Sequence, residues 1–110
     1  MEIELTDRGY LHLPADLARR HFPEDVLVAL VRGAELWLLP LRGPAAGGLL
    51  VKQRNRQGDR SVLLWGVLPE DTPPGPRAAF WDAKAGALRV ALDRVASAGS
   101  EARDRSTIDD

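Results

Sequence analysis

Four basic residues between positions 52 and 60 form the pattern in this sequence with the clearest potential for binding. The stretch reads Lys-Gln-Arg-Asn-Arg-Gln-Gly-Asp-Arg. Alternate side chains of a strand share a face, so Lys52, Arg54 and Arg56 would lie together, with Arg60 beside them after a turn at Gly58-Asp59. Guanidinium groups bind carboxylates and phosphates through charge-assisted hydrogen bonds. The sequence therefore predicts a partner-binding ribbon of Lys52, Arg54, Arg56 and Arg60, with a solvated hairpin tip as the alternative.

The other residue types that perform chemistry form no catalytic or metal-binding pattern. The chain has no cysteine, and Ser61 lacks the flanking glycines of a nucleophile elbow. Its two histidines, His12 and His21, are too few to form a metal site alone, because protein metal sites use three or four ligands. We therefore expect a protein that is not an enzyme and holds no metal or cofactor.

The three tryptophans, Trp37, Trp65 and Trp81, each fall within an apolar run that reads as a strand. Such large side chains favour core or rim packing. The alternative is that one of them is exposed at an interface, where tryptophan is enriched.

Short alternating or β-branched apolar runs indicate a mainly β protein. The predicted strands cover residues 2–5, 10–13, 26–31, 35–39, 49–57, 60–68, 78–81 and 87–92. One helix of about two turns is predicted near residues 14–22. Pro14 suits its first turn, Asp16 complements its dipole, and Pro23 prevents it from continuing. The fold class expected is a small β-barrel-like domain of several antiparallel hairpins with one short helix.

Residues 1–42 resemble the AbrB/MraZ superfamily of swapped-hairpin DNA-binding proteins. The resemblance rests on the Arg8-Gly9 turn, the Leu13-Pro14 step and Asp16-Leu17-Ala18-Arg19, followed by two apolar runs. It implies a swapped-hairpin fold, a homodimer and a DNA-binding transcriptional regulator. Carried onto this chain, it implies that Arg8, Arg19 and Arg20 contact nucleic acid.

Charge supports a different class of partner. The net charge is −1, and residues 43–66 carry four Lys or Arg against Asp59 alone. A DNA-binding domain is usually basic, so this balance suits an acidic protein partner better than DNA. The alternative function is thus a protein-binding accessory or assembly module that uses the ribbon at 52–60 or a free strand edge. Since no signal peptide or membrane-length apolar run is recognisable, we expect a cytoplasmic location.

The chain is expected to form one domain over residues 1–95, with a β-α-β-β half at 1–42 and a two-hairpin half at 49–94. Residues 96–110 are polar and charged, and predict a flexible tail. The segments 32–38 and 84–90 each contain a basic residue, a turn and an apolar strand. This similarity indicates either a duplication or only the sequence pattern that hairpins have in common. The predicted apolar strands would leave sheet edges exposed, and this also favours a homodimer.

Overall fold

The computed structural model describes residues 1–43 and 48–95 and contains eight strands and one helix within them. The predicted tail at 96–110 lies outside the described residues. In chain order the elements are β1 (Glu2–Leu5), β2 (Tyr10–Leu13), α1 (Ala15–His21), β3 (Val26–Arg32), β4 (Glu35–Pro40), β5 (Leu49–Gln53), β6 (Arg60–Leu63), β7 (Gly75–Asp82) and β8 (Ala87–Ala91). The prediction of a mainly β fold with one short helix is confirmed. No helix of the described residues has the length and apolar character needed to cross a membrane.

All eight strands pair antiparallel and close into a barrel in the order β1-β2-β6-β5-β3-β4-β8-β7, with β7 returning to β1. Alternation sets which side chains enter it: Ile3 and Leu5 of β1 are buried, while Glu2 and Glu4 are exposed. Closure gives every described strand two neighbours, so the free edge proposed for partner binding is not present among these residues. The expectation of a free strand edge is therefore wrong. The homodimer stays a prediction, but exposed sheet edges no longer support it.

The two halves of the chain are interleaved, and the strand pairing has an internal two-fold symmetry. If β1–β4 are exchanged in order for β5–β8, every strand pair is converted into another pair that the barrel also contains. The pair β1·β2 becomes β5·β6, β3·β4 becomes β7·β8, and β1·β7 becomes β3·β5. The two remaining pairs, β2·β6 and β4·β8, map onto themselves. In β4·β8, Trp37 pairs with Arg89. Leu36 and Leu88 each precede that pair by one residue in their own strand, so they occupy equivalent positions. Two halves with equivalent strand pairing are what a duplication would produce, and the duplication stays a prediction.

The barrel interior is apolar and includes residues from both halves. Leu13, Leu27, Leu38, Leu64 and Leu88 are fully buried. At about 1.5–3 kcal/mol for each large apolar side chain, their burial is the main stabilising contribution. Residues of both halves thus contribute to one core cluster.

Helix α1 contributes its apolar side to the core of the barrel. Leu17 and Ala18 are buried, and so is Phe22 directly after the helix. The helix ends there because Pro23 follows, and the Phe22 N–H donates to the Ala18 carbonyl at 2.8 Å.

The described residues 64–74, between β6 and β7, contain no helix equivalent to α1. After β6 the chain makes one turn, in which the Leu68 N–H donates to the Leu64 carbonyl at 3.2 Å, and then enters a proline-rich loop at residues 69–74. The predicted strand at 60–68 therefore ends early, at Leu63. Trp65 lies in this turn and not in a strand.

One charged side chain, Arg77 of β7, is buried in the barrel with 1% of its surface exposed. Leu27 is equivalent to it in the other half, since Leu27 pairs with Leu49 of β5 and Arg77 with Ile3 of β1. The Arg77 guanidinium donates to the carbonyls of Leu92 at 2.9 Å, Gly75 at 3.0 Å and Pro73. Arg77 thus ties the end of the proline-rich loop to Leu92, directly after β8.

Candidate binding surface

The basic ribbon is a turn in the structure. Strand β5 ends at Gln53, so Arg54 and Arg56 do not alternate along a strand as predicted, and residues 54–59 form what we call the cationic turn. The turn closes where the Arg54 N–H donates to the Asp59 carbonyl at 2.7 Å. Gly58 within the turn has φ +95°, a backbone conformation that favours glycine.

Side chains inside the cationic turn hold it in one shape. Asn55 Nδ2 donates to Asp59 Oδ2 at 2.9 Å, and the Asp59 N–H returns a bond to Asn55 Oδ1 at 3.2 Å. Gln53 Nε2 donates to the Asn55 carbonyl at 2.6 Å. These polar residues are therefore used within the turn, while Lys52, Arg54 and Arg56 remain exposed.

Asp59 also connects the cationic turn to helix α1. Its Oδ1 accepts the Ala15 N–H at 2.9 Å, and Pro14 supplies no side-chain cap of its own. Asp59 thus caps the helix from a distant part of the chain, satisfying one of its free N–H groups. Hydrogen bonds from the Asn55 amide and then from Ala15 lower the pKa of the Asp59 carboxyl below its ordinary 3.8.

Replacing Asp59 with asparagine is expected to lower the Tm by several degrees at about pH 7. A folded-state pKa below the unfolded value means that the carboxylate stabilises the fold above the unfolded pKa, and that this contribution disappears as pH falls through the folded pKa. The Tm difference between wild type and Asp59→Asn should therefore shrink on acidification to about pH 3. Asp71→Asn, at an exposed loop carboxylate, is the control; a difference that stayed constant with pH would contradict the capping role.

Two further arginines border the cationic turn, and both have acidic partners. Arg60 Nε pairs with Asp25 Oδ1 at 3.1 Å, and its Nη1 donates to the Gly58 carbonyl at 2.8 Å. Arg19 pairs with Asp16 and lies beside the turn, where its Nη1 is 3.7 Å from the position a Cβ on Gly58 would take. Arg60 is thus structural, and the exposed part of the predicted ribbon is Lys52, Arg54 and Arg56.

The three residues expected to contact nucleic acid do not form one cluster. Arg8 lies in the turn between β1 and β2, at the opposite end of β2 from Arg19. Arg20 is exposed in the last turn of α1, beside His21, whose ring stacks on Trp81 at 3.9 Å. Of the three, the structure brings only Arg19 to the cationic turn.

Acidic groups flank the surface on its β1 side. His12 of β2 is half-buried, and burial followed by the charge of Arg54 lowers its pKa. Glu4 of β1, and then Asp59, act on the same pKa in the opposite direction. His12 therefore lies between the cationic turn and a carboxylate of β1, and the surface has mixed charge.

Of the three tryptophans, Trp65 is the exposed one, with 75% of its surface in solvent. Trp37 lies under the guanidinium groups of Arg32 and Arg89, and Trp81 packs on His21 and Phe22. Sequence reasoning left the exposed residue open. The signal that separates Trp65 is the Gly66 that follows it, which has φ +89° and lies with Trp65 in the turn after β6.

No three His, Asp or Glu residues within 1–43 and 48–95 are placed to hold a metal ion. Comparisons of the chain with protein families, with curated proteins and with solved structures find no match.

Proposed function

We propose that this chain is a non-catalytic binding module of the cytoplasm, whose cationic turn holds an acidic surface of a partner protein. The observation that carries the proposal is that some side chains hold the shape of the turn while others are exposed. Asp59 and Asn55 are engaged in hydrogen bonds within the turn and to Ala15, whereas Arg54 and Arg56 of the turn, and Lys52 just before it in β5, are exposed. A turn already fixed in shape loses little conformational entropy when its arginines bind carboxylates.

The distribution of charge favours protein over DNA as this partner. A duplex presents phosphates continuously along its length, and its binding surfaces are correspondingly basic. Here Glu2 and Glu4 are exposed on β1, and Glu4 is near enough to affect the pKa of His12 beside the cationic turn. Arg8 is at the other end of β2. A patch of about three free cations bordered by carboxylates matches a local acidic patch better than a long polyanion.

DNA binding is the second candidate, and the internal symmetry favours it. The resemblance of residues 1–42 to AbrB/MraZ proteins implies interleaved hairpins. The hairpin β1·β2 does lie between β6 and β7 of the other half. On this reading the chain would be a transcriptional regulator in which Arg8, Arg19 and Arg20 contact the duplex.

Site-specific photo-crosslinking separates the two candidates. A photoreactive amino acid at Gln57, which is exposed in the cationic turn, is introduced into the protein in its own host cells. We expect protein adducts there, at least about tenfold weaker when Arg54 and Arg56 are both replaced by alanine, because Arg–carboxylate contacts are charge-assisted. The same probe at Lys84, exposed in the turn between β7 and β8, is the matched control.

The opposite outcomes are equally specific. Nucleic-acid adducts at Gln57 that disappear in Arg8→Ala/Arg19→Ala support the DNA candidate. Equal adducts at Gln57 and Lys84 leave the cationic turn as a solvated tip and overturn the proposal. The Arg54→Ala/Arg56→Ala variant should keep the wild-type Tm, since exposed charges contribute under ~1 kcal/mol each.

A further inference from the structure

A groove of about 380 Å³ lies between the turn that joins β1 to β2 and the segment that follows β6. We call it the Trp65 groove. Its walls include the apolar side chains of Leu68, Pro69 and Pro74 and the carboxylates of Asp7 and Glu70. No lysine or arginine is among the described residues that line it. The groove is therefore apolar with a negative rim.

Trp65 is fixed in this groove although most of it faces solvent. Its Cε3 lies 2.8 Å from the position that a Cβ on Gly9 would occupy, and Gly9 has φ +86°. Only glycine permits this approach, so the ring rests directly on the backbone of the turn between β1 and β2. A large aromatic side chain held in place yet 75% exposed is typical of the residues that dominate binding at interfaces.

The internal symmetry shows what occupies the equivalent place in the first half. There the chain leaves β2, enters α1, and packs on the turn between β5 and β6: the Ala15 Cβ is 3.6 Å from the Cβ position of Gly58. Leu17 and Phe22 then close over the core. In the second half the chain leaves β6 without forming a helix, and the groove lies between it and the turn between β1 and β2.

We infer that the Trp65 groove binds a short peptide segment of a partner protein, in which apolar side chains are flanked by lysine or arginine. The apolar side chains would cover Trp65 and Leu68, as α1 covers the core in the first half. The basic side chains would face Asp7 and Glu70. This site is at the other end of β2 from the cationic turn, so it adds a second surface of opposite charge and does not depend on the proposed function.

The test is selection from a random peptide library displayed on phage, with the folded full chain immobilised and Trp65→Ala as the counter-target. We expect recovered peptides to combine apolar and basic residues. Their affinity should fall at least about tenfold on Trp65→Ala, as at an interface hot spot. Charge reversal at Asp7→Lys or Glu70→Lys, which leaves the tryptophan in place, should weaken the same peptides. Because all three positions are exposed, the variants should keep the wild-type Tm.

Arg54→Ala/Arg56→Ala is the matched control and should bind the selected peptides as wild type does. Its behaviour separates a failure of the groove from a failure of the cationic turn. The inference is overturned if selection returns no peptide that prefers wild type to Trp65→Ala, or if the preferred peptides are acidic or lack basic residues. If Trp65→Ala does not fold, Glu70→Lys serves as the counter-target, and unchanged binding to it has the same meaning.

Discussion

Replacing Arg77 with alanine is expected to lower the free energy of unfolding by about 3 kcal/mol. The change removes the donors for the carbonyls of Pro73, Gly75 and Leu92, and it empties the volume of a side chain that is 1% exposed. A buried polar group left without a partner costs about 1–3 kcal/mol, and a cavity adds to this. Urea denaturation at neutral pH, followed by circular dichroism, measures the loss.

Arg77→Met separates the hydrogen bonds from the packing. Methionine fills most of the volume but donates nothing, so we expect it to recover less than half of the loss. Burial lowers the pKa of Arg77, and the neighbouring charge of Arg94 acts in the same direction. Removing an unfavourably buried charge would therefore offset part of the cost. A methionine variant as stable as wild type would show that the guanidinium adds nothing net.

The same substitution should also affect the Trp65 groove. Thr72 and Pro74 line the groove, and Arg77 holds the adjoining carbonyls of Pro73 and Gly75. An arginine in the core thus supports the wall of a surface site. In the other half, the equivalent Leu27 is apolar and fully buried, so it fills the core there without donating hydrogen bonds.

Local sequence patterns predicted the elements well where one face is buried. The alternation in residues 2–5 and 10–13 gave strands β1 and β2, and Pro14, Asp16 and Pro23 bounded a helix that the structure places at Ala15–His21. These signals are local, since side-chain period and backbone restriction act within a few residues.

The cationic turn was predicted incorrectly because its determinant is not local. Polar and basic residues alternate from Lys52 to Gln57, so the period alone indicates a strand. The structure ends the strand at Gln53, and Asp59 instead bonds to Asn55 and to Ala15, which is 44 positions away. A carboxylate that caps a distant helix leaves no periodic signal in the sequence.

The burial of Arg77 likewise has a cause that is not local in the sequence. Its neighbours Gly75 and Pro76 indicate a loop or an edge strand, where an arginine is ordinarily exposed. Because β7 pairs with β1 to close the barrel, the Arg77 side chain points inward. Its burial is tolerated because carbonyls of the preceding loop accept hydrogen bonds from its guanidinium. The barrel order itself, in which β1 meets β7 and β2 meets β6, lies beyond any local pattern.

Two separate fragments, residues 1–43 and 48–95, are expected to be unfolded alone and to form the barrel when mixed. In the first half the hairpin β1·β2 contacts β6 and β7, and the hairpin β3·β4 contacts β5 and β8. Each fragment alone would leave its hairpins without neighbours, and isolated two-stranded hairpins are marginally stable in water. Mixing at equal concentration should restore the strand signal in circular dichroism and a cooperative thermal transition.

Leu11 tests whether association uses the interleaved pairs. Leu11 pairs with Val62 across β2·β6, and both are buried. Leu11→Ala in the first fragment should weaken association by about 2–4 kcal/mol, or roughly 30- to 1000-fold. Leu30→Ala, at an exposed position of β3, is the matched control and should change it little. Cooperative folding of either fragment as a monomer would contradict the interleaved barrel, because it would require each half to contain a core of its own, and the buried leucines are shared between the halves.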